Sequence, residues 1–167
     1  MADFKIAIQK TLVHEGGFQK NPNDHANWSG GKIGVGTLIG TKYGITAIDL
    51  PGTDIENLTE DQAIAYYAEH YWKAGFSQIE SQFVAEKLFD LGVLFGVHVA
   101  VGVMQVVLGI TSDGVVGPNT LATINQTEPA SLYNAYKAAM VTHAINVATA
   151  NPPEREFLAG WIRRINS

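Results

Sequence analysis

The chain has 167 residues, of which 46% are apolar and only 16% charged, with a net charge of −5. It contains no cysteine, which excludes a disulfide scaffold, a thiolate metal site and a cysteine nucleophile. The acidic balance argues against a nucleic-acid-binding face, because phosphate neutralisation needs clustered Lys and Arg. What remains is the composition of a small globule, long enough to bury a core of its own as a single domain over 1–167. Its N-terminus lacks a basic start followed by an apolar stretch, so no signal peptide is expected.

In chain order, Asp3 can cap a first helix whose apolar face is drawn from Phe4, Ile8 and Leu12, with Ile6 and Val13 beside them. Gly16-Gly17 stops that helix just past Glu15. From about 18 to 52 glycine and turn-forming polar residues dominate. Short β-compatible runs at Lys32–Ile39 and Tyr43–Ile48 predict loops with a small hairpin-like element. Thr59 followed by Gln62 is a capping-box pattern opening a helix to about Phe76, with Ala63, Tyr66, Tyr67, His70 and Tyr71 facing inward. A further helix begins near Gln82. Asp113-Gly114 marks a turn, Pro118 starts a short helix through Ile124, and Pro129 starts a longer one to about Ala148. Asn151-Pro152-Pro153 breaks it, and Glu154–Ile165 forms a last amphipathic helix. The fold class expected is mainly α, with a small irregular β lobe near the N-terminus.

From Leu91 to Ser112 no residue is charged, a run long enough to span a bilayer, and Gly92 and Gly96 have the spacing of a membrane helix-packing pair. Asp90, His98, Gln105 and Ser112 nevertheless recur at eight, seven and seven residues, one thin polar stripe along a helical face. We read the segment as a central core helix and expect no stable membrane span, leaving membrane contact by 91–110 as a separate question.

Glu15 is the residue best placed for chemistry. It ends a helix and opens the glycine-rich stretch, so its carboxyl can project from a rigid element into a cleft that a substrate backbone can approach. Shielded from water, such a group serves as a general acid. Its bland alternative is a brace for the turn. Glycoside cleavage needs a second polar group. Asp24 follows in Asn21-Pro22-Asn23-Asp24, where it is either that group or a turn cap, and the Thr41 hydroxyl can orient a water. Trp28, Tyr43, Tyr71 and Trp72 flank the lobe in sequence and offer sugar-stacking faces, each with core or surface packing as the alternative. The five histidines lack metal-ligand spacing, and the glycines around Lys32 match no phosphate-loop order, so no metal and no cofactor is expected.

Leu12-Val13-His14-Glu15-Gly16-Gly17-Phe18, then Asn21–Asp24, then Thr41-Lys42-Tyr43-Gly44-Ile45, resembles glycoside hydrolase family 108, the lysozyme-like muramidases of phages and prophages. In the C-terminal half, Asp113–Leu121 resembles a peptidoglycan-binding segment, and Phe157–Arg164 is similar to the family's closing helix. The resemblance implies a lysozyme-like α+β fold, with a catalytic part over 1–90 and a dependent helical part over 91–167. It implies an N-acetylmuramidase that cuts the β-1,4 bond after N-acetylmuramic acid, with Glu15 as the acid and Asp24 and Thr41 as its helpers; beside these, His14, Trp28, Tyr43 and Trp72 are the substrate-binding candidates. It further implies a phage endolysin, monomeric, made in the host cytoplasm and acting on glycan strands of the periplasmic wall. Two departures stand out. His25–Gly40 is longer than the family's short loop between aspartate and threonine, and the helix after Asp90 carries Leu94–His98 where the family tends to have an asparagine. A wall-binding or secretion-associated protein that does not cut, and a lytic transglycosylase, are the alternative functions.

Overall fold

The computed structural model describes the whole chain except Lys73, Ala74 and the side chain of His14. Seven α-helices and one two-stranded antiparallel sheet are found among the described residues: α1 Phe4–Glu15, β1 Thr41–Lys42, β2 Ile45–Thr46, α2 Glu60–His70, α3 Gln82–Phe95, α4 Val97–Val107, α5 Pro118–Gln126, α6 Pro129–Ala150 and α7 Leu158–Asn166. The mainly α architecture with a small β lobe is therefore as the sequence predicts. Packing divides the chain into a unit of residues 9–69 and a unit of 1–8 with 70–167, so residues 70–90 pack with the C-terminal half.

In the 9–69 unit, Ile45, Ile55, Leu58, Ala63 and Tyr67 are buried. The capping box forms as predicted, with the Thr59 and Gln62 side chains and backbone amides bonded to one another. His70 is exposed and does not face inward. The expected strand at Lys32–Ile39 does not form. Gly31, Gly34 and Gly36 all take positive φ, which coils the segment into turns, and only an isolated bridge between Trp28 and Leu38 remains.

In the other unit, α3, α4 and α6 carry the core. Leu88, Phe89, Leu91, Met104, Tyr136 and Met140 are fully buried. The apolar run is not one helix: Gly96, at φ 88°, breaks it into α3 and α4. No described helix is long and apolar enough to cross a membrane. The polar stripe is divided by the same break. Asp90, in α3, accepts the Arg164 guanidinium of α7 at 3.1 Å. His98 and Gln105, both in α4, face the Asp113–Gly114 turn. Gln105 is buried, its Oε1 accepting from the Asp113 and Gly114 amides at 2.9 and 2.8 Å while its Nε2 reaches Asp113 Oδ1 at 2.7 Å. A β-carbon on Gly114 would overlap the His98 imidazole, so the turn requires glycine for space as well as for its φ of +69°.

The face of α1 also differs from the reading by spacing. Ala7, Ile8 and Thr11 are the buried positions, whereas Val13 is 80% exposed.

Candidate active site

α1 ends at Glu15 because Gly16 follows in the left-handed conformation, φ 72°, the usual stop after a helix. The carboxyl is half-buried, with Oε1 shielded from solvent. It is received by the β1–β2 hairpin. Thr41 pairs with Thr46 and Lys42 with Ile45, which leaves Tyr43 and Gly44 as a two-residue loop with φ of 52° and 70°. Positive φ at both positions defines the type I′ turn that matches strand twist.

Tyr43 is the one non-glycine residue with positive φ among those described, a conformation costing roughly 1–2 kcal/mol. It is held there by the Tyr67 hydroxyl, which donates to the Tyr43 carbonyl at 2.8 Å. Gly44 is required for a further reason. A β-carbon there would overlap Glu15 Oε2 and stand 2.8 Å from the Tyr67 hydroxyl. The carboxylate, the phenol and the turn backbone thus share one small volume, and the turn fixes where Glu15 points.

A second cluster lies along the returning loop. Asp24 caps the short 3-10 turn His25–Asn27, its Oδ1 accepting from the Ala26 amide at 2.9 Å and its Oδ2 from Gln19 Nε2 at 3.0 Å. Gln19 and Asn27 bond amide to amide at 2.8 and 3.1 Å, and the Thr41 hydroxyl donates to Asn27 Oδ1 at 2.7 Å. Asn27 also donates to the Asn21 carbonyl at 2.9 Å, so two donors and two acceptor contacts of this fully buried amide are in use. Asp24 and Thr41 therefore belong to one network through Gln19 and Asn27. The long stretch between them closes on itself, with Ser29 N–H to Thr37 carbonyl at 2.9 Å and Ile39 N–H to Asn27 carbonyl at 2.8 Å. It returns Thr41 to Gln19, where their backbones exchange two bonds of 2.8 Å.

This arrangement has chemical consequences. The proton of the Thr41 hydroxyl is directed at Asn27, so its remaining capacity is to accept, which suits orienting a water. Asp24 is a cap and a network member at once. Neither Gln19 nor Asn27 stood out in the sequence, because a buried amide is recognised only by partners that loops bring to it. Tyr67 was legible as an inward residue of α2 but not as the anchor of the Tyr43 carbonyl.

The aromatic candidates separate. Trp28 is half-buried, its indole donating to the Pro22 carbonyl at 2.9 Å. Tyr43 is half-buried, with Lys42 Nζ 5.6 Å from its ring centroid. Trp72 requires correction: it is 8% exposed and packs against Phe4, Phe76 and Phe89 at centroid distances of 5.4, 5.8 and 5.4 Å, in the core of the other unit. A ring enclosed on those sides has no face for a sugar. The His14 side chain, also expected near the substrate, lies outside the described residues.

A helix-end glutamate set against a glycine hairpin, in a mainly α chain with a small β lobe, defines the lysozyme-like class. Residues 8–96 match the model of Glycosyl hydrolase 108, and residues 99–166 match that of a Predicted Peptidoglycan domain. The chain belongs to glycoside hydrolase family 108, with a peptidoglycan-type segment behind its hydrolase part. Among solved structures, that of SagA from Brucella abortus is similar in fold, with a TM-score of 0.76 and 24% identity over 98% of this chain and 89% of that one. No curated protein matches the chain.

Proposed function

We propose that the protein is an N-acetylmuramidase, cleaving the β-1,4 bond between N-acetylmuramic acid and N-acetylglucosamine in peptidoglycan. The observation that carries this is the seating of the Glu15 carboxyl against Gly44. Family membership supplies the reaction class, and this geometry supplies a fixed, partly shielded acid for it. Glu15 protonates the departing glycosidic oxygen. Thr41 accepts a hydrogen bond from the incoming water, and Asp24, held by Gln19 and Ala26, contributes negative charge near the cationic centre. In biological context we infer a monomeric phage endolysin, made in the host cytoplasm and released to the periplasmic wall.

Mass spectrometry of fragments released from purified peptidoglycan tests the chemistry. Reducing N-acetylmuramic ends are expected. Anhydro ends would replace hydrolysis by transglycosylation at the same Glu15. Sedimentation of the protein with sacculi without any release would leave it a wall-binding protein.

A further inference from the structure

The 70–167 unit carries a groove with no part in the chemistry described so far. It lies between α4 and α6, with a volume of about 590 Å³, within the range of small-molecule sites. Val103 and Val106 give it an apolar wall, open enough that Val106 is 65% exposed. Thr142, His143 and Asn146 present a polar edge from one face of α6, and His98 with the Gly114 turn closes an end. None of its eleven lining residues is Asp, Glu, Lys or Arg. Burial lowers the pKa of the His143 imidazole and so disfavours its charged form.

An aromatic row leads away from this groove. His143 meets Phe95 edge-on at 5.5 Å, Phe95 meets Trp161 at 5.4 Å, and Trp161 is stacked on Phe157, which is 51% exposed.

We propose that the α4–α6 groove is a second glycan site, which takes the uncharged N-acetylhexosamine backbone of the wall in preference to its anionic peptide. This rests on the reading of peptidoglycan as substrate and assigns the part of it that is held here. The choice follows from charge: a peptide rich in carboxylates, desolvated in a groove lined by no Lys or Arg, would lose hydration without a guanidinium or ammonium partner. An N-acetylhexosamine matches each surface. Its acetyl methyl meets the valine wall, its amide meets Asn146 and Thr142, and the next ring along lies on the aromatic row, where apolar sugar faces pack against aromatic ones.

The test uses the full chain carrying Glu15→Gln, which leaves the probe uncut. The tetramer of N-acetylglucosamine is titrated while the imidazole NMR signals of His98 and His143 are followed. Both signals should move in a saturable way, and Thr142→Trp or Asn146→Ala should each weaken that binding about tenfold. Thermal melts of the two variants confirm that each is folded. The proposal is overturned if the tetramer leaves both imidazoles unmoved, or if they respond instead to the peptide alanyl-γ-glutamyl-diaminopimelate. Release of reducing ends by the unmodified protein reads the Glu15 assignment separately, so either reading can fail while the other stands.

Discussion

Replacing Gly44 by alanine tests whether the hairpin turn positions the acid. Two costs are expected. The φ of 70° is unfavourable for any residue with a β-carbon, at roughly 1–2 kcal/mol, and overlap with the Glu15 carboxylate adds about 1–3 kcal/mol of overpacking. The sum is about 2–5 kcal/mol. Gly52 supplies the control: its φ is 83°, yet nothing lies within 4 Å of the added β-carbon. Gly52→Ala should therefore lose only the backbone part, a fall in Tm of roughly 2–8 °C for a chain of this length. Activity should separate the two variants further. Displacing the carboxylate by about 1 Å is worth on the order of 10²-fold in rate, so Gly44→Ala should lose that much kcat while Gly52→Ala keeps it. Thermal melts and muropeptide release at a temperature where both variants are folded read the two effects. A Gly44→Ala protein with unchanged kcat, or equal losses in both variants, would refute the positioning argument.

Asn27→Ala leaves Gln19, Thr41 and the Asn21 carbonyl short of partners inside the loop, and should cost about 2–4 kcal/mol in urea melts together with a lower kcat. Tyr67→Phe removes the bond to the Tyr43 carbonyl. It should cost about 1 kcal/mol and reduce kcat more than KM, because the turn beneath Glu15 loosens. The Asp113 carboxyl is held below the ordinary range, chiefly by the Gln105 amide and then by the Val115 N–H. Its contribution is therefore present above the unfolded value near 3.8 and lost as pH falls through the lower folded value. The stability gap between the wild type and Asp113→Asn should be constant above about pH 5 and shrink below pH 4, as followed by melts across that range.

Why some of this was legible in the sequence and some was not follows from the kind of signal each element carries. Local chemistry fixed α1, because Gly16 stops a helix by its own conformational freedom, and it fixed α5 and α6 through Pro118 and Pro129 at their first turns. The break at Gly96 was hidden, since one glycine in a helical run is tolerated and valine and leucine continue on both sides. At Lys32–Ile39 the β-branched residues suggest a strand, while in the folded chain the glycine dihedrals prevail. Trp72 looked like a cleft residue by its position in sequence. Its burial against Phe4, Phe76 and Phe89 depends on rings from three parts of the chain, which its position in sequence does not show. In the site itself, Glu15 could be singled out from its place at a helix end. The amides that join Asp24 to Thr41 could not, since Asn27 meets Thr41 from fourteen residues away.

The central claim is that Glu15 delivers the proton, and Glu15→Gln is its most direct test. The substitution keeps the shape of the side chain and removes the acid. Muropeptide release from purified peptidoglycan should fall by at least about 10²-fold, the usual share of a general acid, with the melting curve unchanged. A folded Glu15→Gln protein that releases fragments at the wild-type rate would contradict the account.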